Sequence, residues 1–126
     1  MSKIERPLSP HLQVYRLPFA AWMSILHRIT GAGLAVGAIM LTWWLFAAAT
    51  GGNCWEALEA FRTSIIGQLM LFGWLLAYVY HFLNGIRHLK WDTGHGLSLK
   101  SINRSGMIVA FGSVFISLFI WFLGAY

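Results

Sequence analysis

The sequence predicts an all-α membrane protein with three transmembrane helices. Of its 126 residues, 58% are hydrophobic and only 10% are charged, whereas about 25% of the residues in a typical soluble domain are charged. Three stretches, residues 29–55, 63–86 and 105–126, contain no Asp, Glu, Lys or Arg. As helices they are long enough to cross a hydrocarbon core of about 30 Å. None of them alternates apolar and polar residues as a barrel strand does, so helices are favoured.

The charged residues set the boundaries of the elements. Spans are predicted over about residues 29–52, 63–86 and 105–126, with an N-terminal segment of residues 1–28 and an inner loop of residues 87–104. No repeat or long linker divides the chain, so residues 1–126 are expected to form a single membrane-anchor domain. The first 21 residues hold three prolines and no apolar core, so no signal peptide is expected.

The basic residues predict the orientation in the membrane. Four precede the first span, four lie between the second and third, and Arg62 alone lies in the loop between the first and second, beside Glu56 and Glu59. The positive-inside rule therefore places the N-terminus and the loop of residues 87–104 in the cytoplasm. Because the basic residues flank apolar spans, the net charge of +5 indicates a membrane protein, and no nucleic-acid partner is expected.

His81 is the most informative polar residue. It precedes Arg87 by six residues on the second span, which places it about 9 Å deeper than that charge. An ionisable side chain at this depth indicates a functional site, and Gly85 on the same helix face leaves room for a flat macrocycle such as haem. An interhelical hydrogen bond is the alternative. If His81 ligates a six-coordinate haem, the second axial ligand is expected from another subunit, because the other histidines map to the inner edge or the loops.

A second polar cluster lies at the inner end of the first span. Ser24, Arg28 and Gly31 follow at i, i+4 and i+7 on one helix face, with His27 adjacent. The hydroxyl and the guanidinium can donate hydrogen bonds to a quinone carbonyl or to a haem propionate. The alternative is a basic helix end that contacts lipid phosphates.

Three further sequence features limit what the chain can do chemically. Asp92, in the inner loop, is interpreted as a helix cap, a counter-charge to Arg87 or a proton relay, and these alternatives stay open. Gly33 and Gly37 form a GxxxG pair, which favours close packing of a neighbouring helix. Cys54 is the only cysteine, so this chain alone can build neither a disulfide nor a cysteine-based zinc or iron–sulfur site.

Taken together, three segments resemble a known family. They are residues 6–15 (RPLSPHLQVY), residues 24–31 (SILHRITG), and His81 followed by residues 85–88 (GIRH) and Asp92. In this order, and with three spans, they resemble the cytochrome b556 subunits of succinate dehydrogenase. Such a subunit is one of the two hydrophobic anchors of respiratory complex II.

The resemblance implies a four-subunit complex in which a flavoprotein oxidises succinate and an iron–sulfur subunit passes electrons to ubiquinone beside the two anchors. By this resemblance His81 ligates haem b together with a ligand from the second anchor, Ser24 and Arg28 bind ubiquinone, and His27 and Arg28 contact the haem propionates. Asp92 matches an acid linked to proton uptake. A bacterial inner membrane is expected rather than a mitochondrial one, because no transit peptide precedes the first motif.

The chain is thus expected to be a subunit of a succinate:quinone oxidoreductase that does not itself oxidise succinate, since no flavin or dicarboxylate site is visible in it. Two alternatives from other classes remain. A cofactor-free membrane anchor would differ by the absence of haem absorbance. A small transporter subunit would usually carry an acidic or basic residue within a span, and His81 is the only such residue in the three stretches.

Overall fold

The computed structural model describes residues 15–124, which form four α-helices: α1 (Phe19–Thr50), α2 (Gly52–Thr63), α3 (Ile65–Asp92) and α4 (Leu99–Gly124). Within this part of the chain α1, α3 and α4 are long and apolar enough to cross a membrane. The predicted all-α membrane fold is confirmed. The first motif lies outside the described residues, apart from Tyr15.

Each long helix extends beyond the apolar stretch that identified it. α1 begins at Phe19 rather than near residue 29, α3 continues to Asp92, and α4 starts at Leu99. Helical hydrogen bonding does not depend on side-chain polarity, so a helix continues into water where its span ends. The inner connection between α3 and α4 is therefore only residues 93–98.

The connection between the first two spans, on the side that the charges predict to be the outer one, is a helix rather than a loop. Gly51 and Gly52, both with φ of 69°, adopt the left-handed conformation that reverses the chain between α1 and α2. Leu58 of α2 is buried against the long helices. On the exposed side Arg62 donates to Glu59, and this hydrogen bond lowers the pKa of the Glu59 carboxyl below its ordinary value.

α2 passes into α3 through a tight junction. Ser64 caps α3, because its Oγ accepts a hydrogen bond from the backbone N–H of Gly67 at 3.0 Å. The carbonyl of Phe61 accepts from Ser64 N at 3.0 Å and from Ser64 Oγ at 2.6 Å. Gly67 is buried directly against this carbonyl, so close that an added Cβ would overlap the Phe61 backbone.

α3 lies between α1 and α4 and packs against both. Each long helix contributes one residue to the buried apolar cluster, namely Met23, Tyr80 and Val109. The Tyr80 hydroxyl donates to the Met23 carbonyl at 2.7 Å, which ties α3 to α1. Ser113 and Ser117 are buried on α4, and small residues of this kind let membrane helices approach closely.

The two glycines of the GxxxG pair have different surroundings. A Cβ on Gly37 would lie 3.2 Å from Nε1 of Trp74, so this glycine accommodates a side chain of α3. A Cβ on Gly33 would meet no described atom within 4 Å. Of the two glycines, therefore, only Gly37 packs closely against another helix of the described chain. It also lines an apolar cavity of about 870 Å³ between α1, α2 and α3.

Candidate functional site

The His81 imidazole is held by the inner part of α1. Its Nδ1 lies 3.1 Å from the carbonyl oxygen of His27 and 3.2 Å from Oγ1 of Thr30. A backbone carbonyl can only accept a hydrogen bond, and the Thr30 hydroxyl is engaged with the carbonyls of Leu26 and His27, so these contacts assign the ring proton to Nδ1. The lone pair of His81 is therefore on Nε2, which makes no hydrogen bond within residues 15–124.

Gly31 leaves space for the imidazole of His81 to pack against α1. A Cβ on Gly31 would lie 3.0 Å from Cε1 of His81 and 3.6 Å from Nδ1. The sequence interpretation gave the role of making room beside the ring to Gly85. A Cβ on Gly85 would meet no described atom within 4 Å, so its face borders open space. The glycine that accommodates the ring from within this chain is Gly31.

Three histidines form one cluster at the inner end of the helices. The rings of His27 and His81 are stacked, with centroids 3.9 Å apart and an interplanar angle of 9°. The ring of His88 is tilted against that of His27 at 5.1 Å. Nδ1 of His27 is buried and has no hydrogen-bond partner among the described residues. Most buried polar atoms in folded proteins have a hydrogen-bond partner, so this nitrogen is an unsatisfied polar atom of the cluster.

Next to the histidines lies a buried arginine that sequence reasoning missed. Arg87 is 6% exposed, and its guanidinium donates to Oδ1 of Asn84 at 3.1 Å, to Oγ of Ser105 at 2.9 Å and to the carbonyl of Ile102 at 2.9 Å. Its Cζ lies 4.1 Å from the centroid of the Trp91 ring. Charge-assisted hydrogen bonds to three neutral acceptors offset the cost of burying this cation.

The sequence contained a weak signal for this arrangement. Asn84 and Arg87 are three residues apart and so lie on one helix face, and an asparagine within a membrane span needs polar neighbours. The acceptors on α4 lie 15 and 18 residues further along the chain. Only the packing of α4 against α3 brings them into reach.

The other predicted site residues lie apart from the cluster or at its edge. Ser24 is half-buried and Arg28 is exposed on α1, and the structure records no side-chain hydrogen bond for either within residues 15–124. Asp92 is exposed at the end of α3, about 16 Å along the helix axis from His81. It does not cap α4, because the Ser98 hydroxyl accepts from the N–H of Ser101 there, and the contacts of Arg87 are with neutral groups.

Across residues 15–124, no group of three or more His, Cys, Asp or Glu side chains is placed to hold a metal ion. The cluster instead offers one oriented nitrogen, Nε2 of His81. A single imidazole suits the axial position of a metal whose other bonds come from a macrocycle. The residues present therefore fit a haem better than a metal site built from side chains alone.

Comparison with known proteins gives consistent matches. The family described as succinate dehydrogenase/fumarate reductase transmembrane subunit matches residues 2–120. A succinate dehydrogenase cytochrome b556 subunit of Paracoccus denitrificans is 44% identical over 113 residues, covering 90% of this chain and 87% of the relative. Its counterpart in Rickettsia felis is 38% identical over 117 residues, covering 93% and 91%. A mitochondrial cytochrome b560 subunit of succinate dehydrogenase from Sus scrofa is 39% identical over 108 residues, covering 82% and 63%.

Proposed function

The chain belongs to the family of succinate dehydrogenase/fumarate reductase transmembrane subunits, and on this premise we propose that it is the cytochrome b556 anchor of a bacterial succinate dehydrogenase. In the inner membrane it holds the flavoprotein and iron–sulfur subunits, shares haem b with a second anchor subunit and helps to form the ubiquinone site. Oxidation of succinate takes place in the flavoprotein.

Haem ligation is supported above all by the hydrogen bond from His81 Nδ1 to the carbonyl of His27. Histidines that ligate metals almost always donate their other ring N–H to a carbonyl, a carboxylate or water. The bond fixes both the tautomer and the direction of the ring, so Nε2 of His81 is available as an axial ligand. Bound haem b supplies a one-electron carrier at this place.

The propionates of the haem are assigned to His27 and Arg28. Nδ1 of His27 is buried without a partner in the described chain, and a carboxylate accepts its hydrogen bond when that nitrogen is protonated. The exposed guanidinium of Arg28 presents several donors and a permanent positive charge to the same kind of group.

Ubiquinone is proposed to bind beside Ser24 and Arg28, four residues apart on one face of α1. Reduction of a quinone takes two electrons and two protons and places negative charge on its oxygen. The guanidinium of Arg28 stabilises this charge and the hydroxyl of Ser24 donates to the oxygen. Asp92, a carboxylate exposed at the end of α3, is assigned to proton uptake from water.

The soluble subunits are proposed to dock on the inner side, where the basic residues gather. Within the described chain five of these side chains are exposed: Arg16, Arg28, Lys90, Lys100 and Arg104. Arg87 is buried and does not contribute to this surface. The same asymmetry supports a cytoplasmic N-terminus by the positive-inside rule.

The proposal is tested on the complex purified through this subunit from bacterial membranes. We expect flavoprotein and iron–sulfur subunits to copurify, a b-type band in the reduced-minus-oxidised spectrum, and reduction of ubiquinone by succinate. If the complex is intact but shows no haem absorbance, the chain is a membrane anchor without a cofactor. Purification without any succinate dehydrogenase subunit would favour the small transporter.

Arg28→Ala is expected to lower succinate-driven ubiquinone reduction by at least about tenfold, because a preorganised donor to a developing oxyanion is lost. Oxidation of succinate with an artificial electron acceptor should be unchanged. Arg62→Ala removes an exposed arginine at the other end of the helices, outside the proposed docking surface, and should leave both rates near those of the wild type. Equal effects of the two substitutions would show that Arg28 has no specific role at the quinone site.

Gly31→Ala is expected to shift the haem absorption band and to reduce haem content, because the new methyl lies 3.0 Å from Cε1 of His81 and forces the ring to move by a few tenths of an ångström. Gly33→Ala is the matched change on α1, where the methyl meets no described atom within 4 Å. The spectra of the two assembled complexes are compared directly. Identical spectra would contradict the placement of His81 against Gly31.

A further inference from the structure

Asn84 lies between a cation and an imidazole and is 0% exposed. Its Oδ1 is 3.1 Å from Nη1 of Arg87, and its Nδ2 is 3.5 Å from Nε2 of His88. A guanidinium carries only hydrogen-bond donors. Asn84 must therefore turn its carbonyl oxygen toward Arg87, and its amide NH₂ toward His88.

This orientation fixes the protonation of the His88 ring. The NH₂ group of Asn84 can only donate, so Nε2 of His88 must accept, and a ring nitrogen that accepts carries no proton. We propose that Arg87, acting through Asn84, is a positioning residue that turns the unprotonated Nε2 of His88 toward Asn84 and leaves the ring proton on Nδ1.

Arg87 is rigid enough for this role because it is held from α4. Its Nε and Nη2 donate to Ser105 Oγ and to the Ile102 carbonyl, both at 2.9 Å, and the Trp91 ring covers its face. A guanidinium with its donors engaged on α4 leaves Nη1 aimed at Asn84. If the Asn84 amide were reversed, its NH₂ group would face the NH₂ group of the Arg87 guanidinium, and two donors would meet without an acceptor.

His88 in turn lies against the proposed cofactor site. Its ring is 5.1 Å from that of His27, which stacks on His81. With Nε2 engaged by Asn84, Nδ1–H is the only hydrogen-bond donor that the ring offers to a carbonyl or carboxylate oxygen from outside the chain. This consequence rests on the proposed function, whereas the tautomer of His88 follows from the three side chains alone.

The test is solid-state ¹⁵N NMR of the complete complex in lipid, labelled at histidine and chemically reduced, with the His88 signals assigned by their loss in His88→Gln. We expect a protonated Nδ1 and an unprotonated Nε2. Asn84→Asp replaces the donor by an acceptor of the same size, and we expect Nε2 of His88 to become protonated. Asn103→Asp makes the same amide-to-carboxylate change at an exposed position of α4 and should keep the wild-type signals.

The proposal is overturned if wild-type His88 carries its proton on Nε2, or if Asn84→Asp leaves the signals unchanged. An equal change in Asn103→Asp would also overturn it, because an added negative charge, and not the contact with Asn84, would then set the ring. Should Asn84→Asp fail to assemble, the wild-type signals decide alone. The visible spectrum of the same sample tests the proposed function separately, since His88 can be protonated on Nδ1 whether or not haem is present.

Discussion

His81→Ala is expected to abolish the b-type band of the assembled complex. Nε2 of His81 lies across the ring from the Nδ1 that the His27 carbonyl holds, and it has no hydrogen-bond partner within residues 15–124. A methyl group in its place supplies no ligand, so most of the haem that His81 would hold is expected to be lost. Reduced-minus-oxidised spectra and the ratio of haem to flavin measure the effect.

His95→Ala is the matched control for the loss of an imidazole. His95 is exposed in the inner connection, where its Nδ1 lies 3.0 Å from Oγ1 of Thr93, and its removal should leave the haem spectrum unchanged. If the His81→Ala complex assembles and keeps a wild-type band, His81 is not the ligand. The hydrogen bond from His81 to the His27 carbonyl would then serve only to join α3 to α1.

Gly67→Ala is expected to destabilise the chain by more than about 3 kcal/mol, because the junction of α2 and α3 has no space for a side chain. The new Cβ would collide with the carbonyl oxygen of Phe61 and lie 2.8 Å from its carbonyl carbon. The same carbonyl oxygen also accepts the hydrogen bonds of Ser64. The chain can relieve the overlap only by opening the junction.

Thermal unfolding of the detergent-solubilised complex and its yield in membranes measure this effect. Gly73→Ala is the control on the same helix, since its methyl meets no described atom within 4 Å. It should be neutral or stabilising by up to about 1 kcal/mol through helix propensity. Similar stabilities of the two variants would show that α2 does not meet α3 in this way.

The three long helices were predictable because charges are costly in a bilayer, so an uncharged stretch carries a strong signal. α2 was not predictable in the same way. It is short and carries Glu56, Glu59 and Arg62, so its sequence is hard to distinguish from a polar loop. Its helical form depends on the burial of Leu58 and on the glycines before it, both of which are tertiary features.

Sequence also identified His27 and His81 individually, and His88 as part of the GIRH segment, because imidazoles near a membrane span are rare enough to stand out. It did not predict that their rings meet, since the register of α1 against α3 depends on contacts such as Gly31 with His81. Arg87 was assigned to the inner surface because lone charges usually face water. Its burial depends on acceptors of α4, which no local pattern of α3 reveals.

The contacts of Arg87 can form only in a certain order while the chain is synthesised and inserted into the membrane. The ribosome releases α1 and α3 first, and the bond from the Tyr80 hydroxyl to the Met23 carbonyl can join these two helices at once. Ser105 and the Ile102 carbonyl reach Arg87 only after α4 has entered the membrane. Until then the guanidinium must stay in contact with water or lipid headgroups, so the histidine cluster attains its final support in the last step of insertion.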